Sequence, residues 1–209
     1  MEGTLLIGDH LLVNKFIFGG TNTFLDKLLP YRNIHRGDII VFKYPYADHQ
    51  HFVKRVIGLP GDRLKLEDQR VFINGKPLAE PYVVHDPNAG YDPLNYSFPP
   101  AITRLYAGRV QPEWADEMQH YVKGGEIIVP PGKYFAMGDN RDNSSDSRFW
   151  GFVDHRAIMG RPFLIYWSVD AGSADYAPTT FWQRLRGIFD TIVHLPSRTR
   201  WSRMFHTVH

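Results

Sequence analysis

Two short stretches of this 209-residue sequence hold residue types able to do chemistry. In HFVKRVIGLPGD, Lys54 stands in the middle of an apolar run, and lysine is rarely buried without a partner. Strand alternation puts Lys54 on one face with Phe52 and Val56, and Arg55 on the other with Val53 and Ile57. An ammonium held against Phe and Val is poorly solvated, which favours the neutral amine. A free lysine near ~10.4 is no base at neutral pH, whereas one brought down to ~7–8 can take a proton from a hydroxyl. The plainer alternative is a lysine that snorkels to solvent from an edge strand.

The second stretch is MGDNRDNSSDSRFWGFV, where Asp, Asn, Ser and Arg crowd beside Phe149 and Trp150. Such a run forms a tight polar loop that satisfies its own backbone. Asp142, Ser144 and Asp146 fall at alternate positions, as in a calcium loop, but Ser147 and Val153 stand where that loop needs Gly and Glu. The remaining functional reading is a scaffold whose hydroxyl and charge pairs orient a catalytic group. His49 and His51 lie near Lys54 without any metal-ligand spacing, and GLPGD lacks the ending of a phosphate loop.

The elements that must position these residues read mainly as strands. DHLLVNKFIF, DIIVFKY, HFVKRVIG, RVFING, EIIVPPGKYFAMGDN and GRPFLIYWSV are rich in Val, Ile and Phe and are punctuated by turn residues. Asn74-Gly75 is a two-residue hairpin signal, and Pro77 marks its return strand as an edge. Residues 79–125 are Pro-, Asn- and Tyr-rich and read as an irregular insertion. The one stretch with helical rhythm is about 180–195, where Thr180 and Gln183 form a capping box and Pro196 ends the run. Five arginines after Phe181 make this a basic amphipathic segment, suited either to a lipid surface or to packing on the β core.

Composition bounds the rest. The chain is 43% hydrophobic and 22% charged, with 14% aromatic residues, which is ordinary for a folded, β-rich protein. A net charge of +2 gives no reason to expect nucleic acid. The absence of cysteine excludes disulfides, thiolate metal sites and cysteine nucleophiles. No run approaches the ~20 apolar residues of a membrane-spanning helix.

Taken in order, MEGTLLIGDHLLVNKF, RGDIIVFKYP, HFVKRVIGLPGD and MGDNRDNSSDSRFWGF closely resemble the successive boxes of bacterial type I signal peptidases, over most of residues 1–168. The resemblance implies coiled antiparallel β-sheets of the signal-peptidase and self-cleaving-repressor type. It places a discontinuous catalytic core at 1–78 and 126–170, an inserted second lobe at 79–125, and a C-terminal extension with its amphipathic helix at 171–209. It implies a Ser–Lys endopeptidase that removes signal peptides from exported preproteins after small residues, usually Ala-X-Ala. That activity needs no cofactor or metal, and its partners are preproteins and a membrane lipid surface, with no nucleic acid.

By the same resemblance Lys54 is the general base and Ser144 the hydroxyl that orients it, while Arg55, Asp146 and Arg148 brace the site. Met1, Leu5, Phe52 and Val53 line shallow substrate pockets, with the substrate added as an extended strand. The expected place is the outer face of the bacterial cytoplasmic membrane, with an anchor ahead of this chain. Two departures stand out: Gly3 replaces the usual proline, and the nucleophilic serine, expected immediately before Met1, is not in the chain. The expectation is a chain truncated just after its nucleophile and inactive as given. The alternatives are a relative of the self-cleaving repressors and a non-catalytic β-rich module that binds signal peptides or membrane.

Overall fold

The computed structural model describes residues 4–6, 8–18, 32–47, 49–101, 108–170 and 199–208. Met1 and the expected helix at 180–195 lie outside them. The strands are β1 (Asp9–Asn14), β2 (Ile39–Lys43), β3 (His51–Gly58), β4 (Arg63–Glu67), β5 (Arg70–Ile73), β6 (Lys76–Pro77) and β7 (Ser97–Phe98). They continue with β8 (Val122–Lys123), β9 (Glu126–Ile128), β10 (Lys133–Met137), β11 (Val153–Asp154), β12 (Ile158–Ser168) and β13 (His206–Thr207). Three helices, α1 (Pro93–Tyr96), α2 (Pro112–Tyr121) and α3 (Ser147–Trp150), lie among them.

These strands make two antiparallel sheets. The larger runs β1-β12-β2-β3-β10-β11, with β13 also on β12, and the smaller runs β6-β5-β4-β9-β8, with β7 on β4. The apolar run Ile39–Phe42 is buried residue after residue because β2 lies between β12 and β3 inside the sheet. β5 and β6 form the hairpin that Asn74-Gly75 predicts, with φ of 52° and 78° at the two turn residues, and Pro77 lies on an edge strand.

The chain crosses between the sheets twice, at 58–63 and 128–133, and the crossings are tied together. Gly61 N–H donates to the Val129 carbonyl, and Val129 N–H donates to that of Asp62, at 2.8 and 2.9 Å. Gly58 is needed here, since a Cβ would lie 2.9 Å from Val129 Cγ2 and 3.0 Å from Phe135 Cβ. One hydrophobic core runs through both sheets, joining Phe42, Val56 and Ile57 to Leu64, Leu66, Val71 and Phe98. A small second cluster, Leu5, Ile39, Ile165 and Val208, lies apart from it, with Leu11 and Val53 packed against it.

The stretch read as irregular contains a genuine helix, which corrects the expectation of a single helical segment near the C-terminus. α2 opens with Pro112 in its first turn and buries Trp114 and Met118, one turn apart. Trp114, Ala115, Met118 and Tyr121 stand at helical spacing and face the core, a rhythm hidden in the sequence by the Pro-, Asn- and Tyr-rich residues around it. Trp114 packs against Tyr121 of the same helix and against Phe152. The smaller sheet draws β4–β6 from before residue 78, β7 and β8 from 79–125, and β9 from after it.

Candidate active site

β3 delivers Lys54 to the site. Its register against β2 pairs Ile40 with Lys54 and Val41 with Val53, so Phe52 and Lys54 share one face. Phe52 stacks on Tyr44 with ring centroids 4.5 Å apart, and the Lys54 ammonium lies 5.8 Å from the centre of the Phe52 ring. Val53 packs instead on the small cluster that contains buried Leu5. β10 pairs with Arg55, Val56 and Gly58, so its ladder ends one residue past Lys54.

The polar loop after β10 closes over this lysine. Lys54 Nζ lies 2.9 Å from Ser144 Oγ, ninety residues away in sequence. Gly138 makes that approach possible: a Cβ there would stand 2.2 Å from Ser144 Oγ, 2.7 Å from Ser144 Cβ and 3.5 Å from Lys54 Nζ. Asp142, Ser144 and Asp146, the three alternate residues of the calcium reading, go to separate partners. Asp142 accepts from Asn95 and from the backbone of Asp86 and pairs with His85, Ser144 meets Lys54, and Asp146 turns inward.

Asp146 is fully buried and caps α3. Its carboxylate accepts from Arg148 Nε and Nη2, both at 2.8 Å, and from the Gly138 N–H at 3.2 Å. Burial alone would raise this carboxyl, but the Arg148 charge and hydrogen bonds, the Lys54 charge and the Gly138 N–H hold it below its ordinary value of 3.8. Arg148 is also enclosed, donating to the Arg141 carbonyl and to Asn95 Oδ1. A buried charge pair is tolerated when its remaining donors and acceptors are matched in this way.

Arg55, pointing away from Lys54, builds a second charged layer. It forks onto buried Asp139 with two bonds of 2.9 Å and donates to the Gly37 carbonyl. Its guanidinium lies 4.1 Å from the centre of the Tyr82 ring. Tyr82 donates to Glu80, which pairs with Arg141, and burial followed by the Glu80 charge drives the Tyr82 phenol far above its usual range. Asp139 also accepts from Thr4 Oγ1 at 2.6 Å, which ties the first box to the lysine strand.

The structure thus gathers Lys54, Ser144, Asp146 and Arg148 into one cluster. Arg55 stands on the other side of β3, Leu5 and Val53 share the small apolar cluster, and Phe52 is half-buried beside Lys54. Thr4, Gly138 and Asp139 escaped residue-by-residue reading although they lie inside the quoted boxes, because their role is a contact across the fold. No group of three His, Asp or Glu among the described residues is placed to hold a metal ion.

The family model described as signal peptidase, peptidase S26, matches residues 1–167. The chain belongs to this family. Among its S26 relatives, signal peptidase I of Pseudomonas fluorescens is 38% identical over 182 residues, covering 80% of this chain and 62% of that protein. Signal peptidase I of Aquifex aeolicus is 34% identical, covering 80% of this chain and 72% of its own. A crystal structure of an Enterococcus faecalis signal peptidase I aligns with 30% identity and a TM-score of 0.42, covering 62% of this chain and 97% of that one. The S26 match contains both polar clusters just described and ends before the last residue of β12.

Proposed function

We propose that this chain is the catalytic portion of a Ser–Lys endopeptidase that cleaves signal peptides from exported preproteins after small residues. The observation that carries the reading is the Lys54–Ser144 contact of 2.9 Å, made by an apolar strand and a braced loop. An amine serves as base only when neutral and well aimed, and a hydroxyl partner with fixed geometry supplies the aim. In this reading Lys54 takes the proton of the attacking hydroxyl, and Ser144 holds the lysine. Arg148 and Asp146 keep the loop in place, and Arg55 does the same for the first box through Asp139 and Thr4. In this reading the attacking hydroxyl is that of a serine, which the resemblance puts directly before Met1.

The substrate adds as an extended strand beside β3 in the region of Phe52 to Lys54, where the β10 ladder has ended. Leu5 and Val53, joined in the small apolar cluster, form a shallow floor that suits alanine-sized side chains. We place the catalytic face at the outer surface of the bacterial cytoplasmic membrane. Support comes from exposed apolar side chains on neighbouring elements: Leu12 and Phe16, Phe163 and Tyr166 of β12, and Trp201 and Phe205 beside β13. Exposed aromatic side chains suit the membrane interface.

The test uses the chain with a serine placed directly before Met1 and a preprotein carrying an Ala-X-Ala site. Cleavage after that site is expected, and Lys54→Ala should abolish it. Undiminished cleavage by Lys54→Ala would overturn the mechanism. Residues 1–209 alone should bind a signal-peptide analogue without cutting it.

A further inference from the structure

Residues 199–208 lie beyond the stretch matched by the family model, yet they are fastened along β12 and onto the first box. Thr199 bridges Val169, Arg200 N–H donates to the Ser168 carbonyl, Phe205 N–H to that of Ile165 and Val208 N–H to that of Phe163. This ladder puts Arg203 against the turn between Thr4 and Asp9. Arg203 Nη2 donates to Asp9 Oδ2 at 2.7 Å and to the Thr4 carbonyl at 3.1 Å, while Nε reaches Asp9 Oδ1 at 3.3 Å. Asp9 also accepts from Leu6 N–H and Ser168 Oγ, at 2.8 and 2.6 Å. Burial would raise the Asp9 carboxyl, but Arg203, Ser168 and the Leu6 N–H hold it below its ordinary value.

The turn held in this way leads to the site. Thr4 donates to Asp139, and Asp139 is gripped by Arg55, the neighbour of Lys54 on β3. On the apolar side, Val208 is only 4% exposed and shares its cluster with Leu5, against which Val53 packs. One short segment therefore supports the first box from both its polar and its apolar side.

We infer that Thr199–Val208 is a positioning brace for the active site: Arg203 fixes the turn at Thr4–Asp9, and Val208 backs Leu5 and Val53. The inference rests on the activity proposed above. Arg203 is a positioning residue, acting on the reacting groups through Thr4 and the backbone of the first box. A planar guanidinium can serve a carboxylate and a carbonyl at once, which an ammonium on a flexible stem cannot do with the same geometry.

Arg203→Met and Arg203→Lys, with Arg200→Met as a control from the same segment, are compared by two readouts. Amide exchange at Leu6 and Asp9 is followed in residues 1–209, and kcat and KM are measured in the serine-bearing chain. Arg203→Met should speed exchange at both amides by roughly tenfold or more. It should lower kcat by roughly 10- to 100-fold, as a misplaced reacting group does, with KM within about twofold. Arg203→Lys should fall between Met and the parent, and it carries the test alone if Arg203→Met does not fold. Arg200→Met should match the parent. Unchanged exchange, faster exchange with unchanged kcat, or an equal effect of Arg200→Met would each overturn the brace. If the serine-bearing parent cuts nothing, the proposed activity fails, and exchange at Leu6 and Asp9 still decides whether Arg203 holds the turn.

Discussion

Gly138→Ala tests the geometry of the site with a single methyl group. The added Cβ would stand 2.7 Å from Ser144 Cβ and 2.2 Å from Ser144 Oγ. Rotation about χ1 removes the clash with Oγ but leaves the one with Cβ, whose comfortable separation is about 3.5–4.0 Å. Ser144 must therefore retreat by roughly 1 Å, and the 2.9 Å contact with Lys54 passes the limit of a hydrogen bond. Overpacking of this kind costs about 1–3 kcal/mol of stability. The lost contact to the lysine is worth about 1.5–3 kcal/mol, or roughly a 10- to 100-fold drop in kcat. Preprotein cleavage and thermal unfolding, both measured on the serine-bearing chain, give both numbers. Gly90→Ala serves as the control, because its Cβ would meet nothing within 4 Å. A Gly138→Ala protein within about twofold of its parent in kcat, with an unshifted Tm, would refute the claim that Ser144 must touch Lys54.

The remaining predictions concern the charged and crowded positions around this site. Asp9, Asp38 and Asp146 all have carboxyl groups held below the ordinary 3.8, because burial, which raises each, is outweighed by an arginine together with neighbouring hydrogen-bond donors. Depressed folded values stabilise the fold above the unfolded carboxyl pKa, and that stabilisation is lost as pH falls through the folded values. Tm should therefore hold steady from neutral pH down to about 5 and fall steeply below about 4, as followed by circular dichroism. Asp146→Asn leaves Arg148 buried without its counter-charge, and should cost about 3–5 kcal/mol at neutral pH in denaturant titration. Gly151→Ala should lower Tm twice over. Gly151 has φ 91°, and a Cβ there would lie 2.7 Å from Trp114 Cε3; strain and overpacking are worth about 1–3 kcal/mol each.

Lys54 stood out as a charged residue in an apolar strand, but that pattern also fits a lysine snorkelling to solvent, and only the resemblance pointed to a base. The resemblance named Ser144, Asp146 and Arg148, and the structure brings all three to one place with Lys54. α2 did carry a signal, with Trp114, Ala115, Met118 and Tyr121 at helical spacing, but the Pro- and Tyr-rich residues on either side masked it. Gly138 and Thr4 had no signal of their own. A glycine inside a polar loop reads as a turn residue, and only the approach of Ser144 shows that its missing side chain matters. Arg203 was one of five arginines in a segment read as suited either to a lipid surface or to packing on the β core. Its bond to Asp9 spans 194 residues, a distance over which no local pattern carries information.

The indole of Trp114 has a consequence for where this chain can change length. Its N–H donates to the Arg148 carbonyl at 3.3 Å, and the Gln111 N–H, at the start of the same helix, donates to that of Phe149 at 2.8 Å. Helix α2 is thus stitched to the loop that carries Ser144, and residues added or lost within it would drag that loop with them. Residues 87–91 are the opposite case, exposed at every position between the ties of His85 and Asp86 to Asp142 and the buried Asp92. Doubling a flexible loop costs only about 0.6 kcal/mol in closure entropy. Insertion is therefore cheap at Asn88-Ala89, and every residue of α2 is counted.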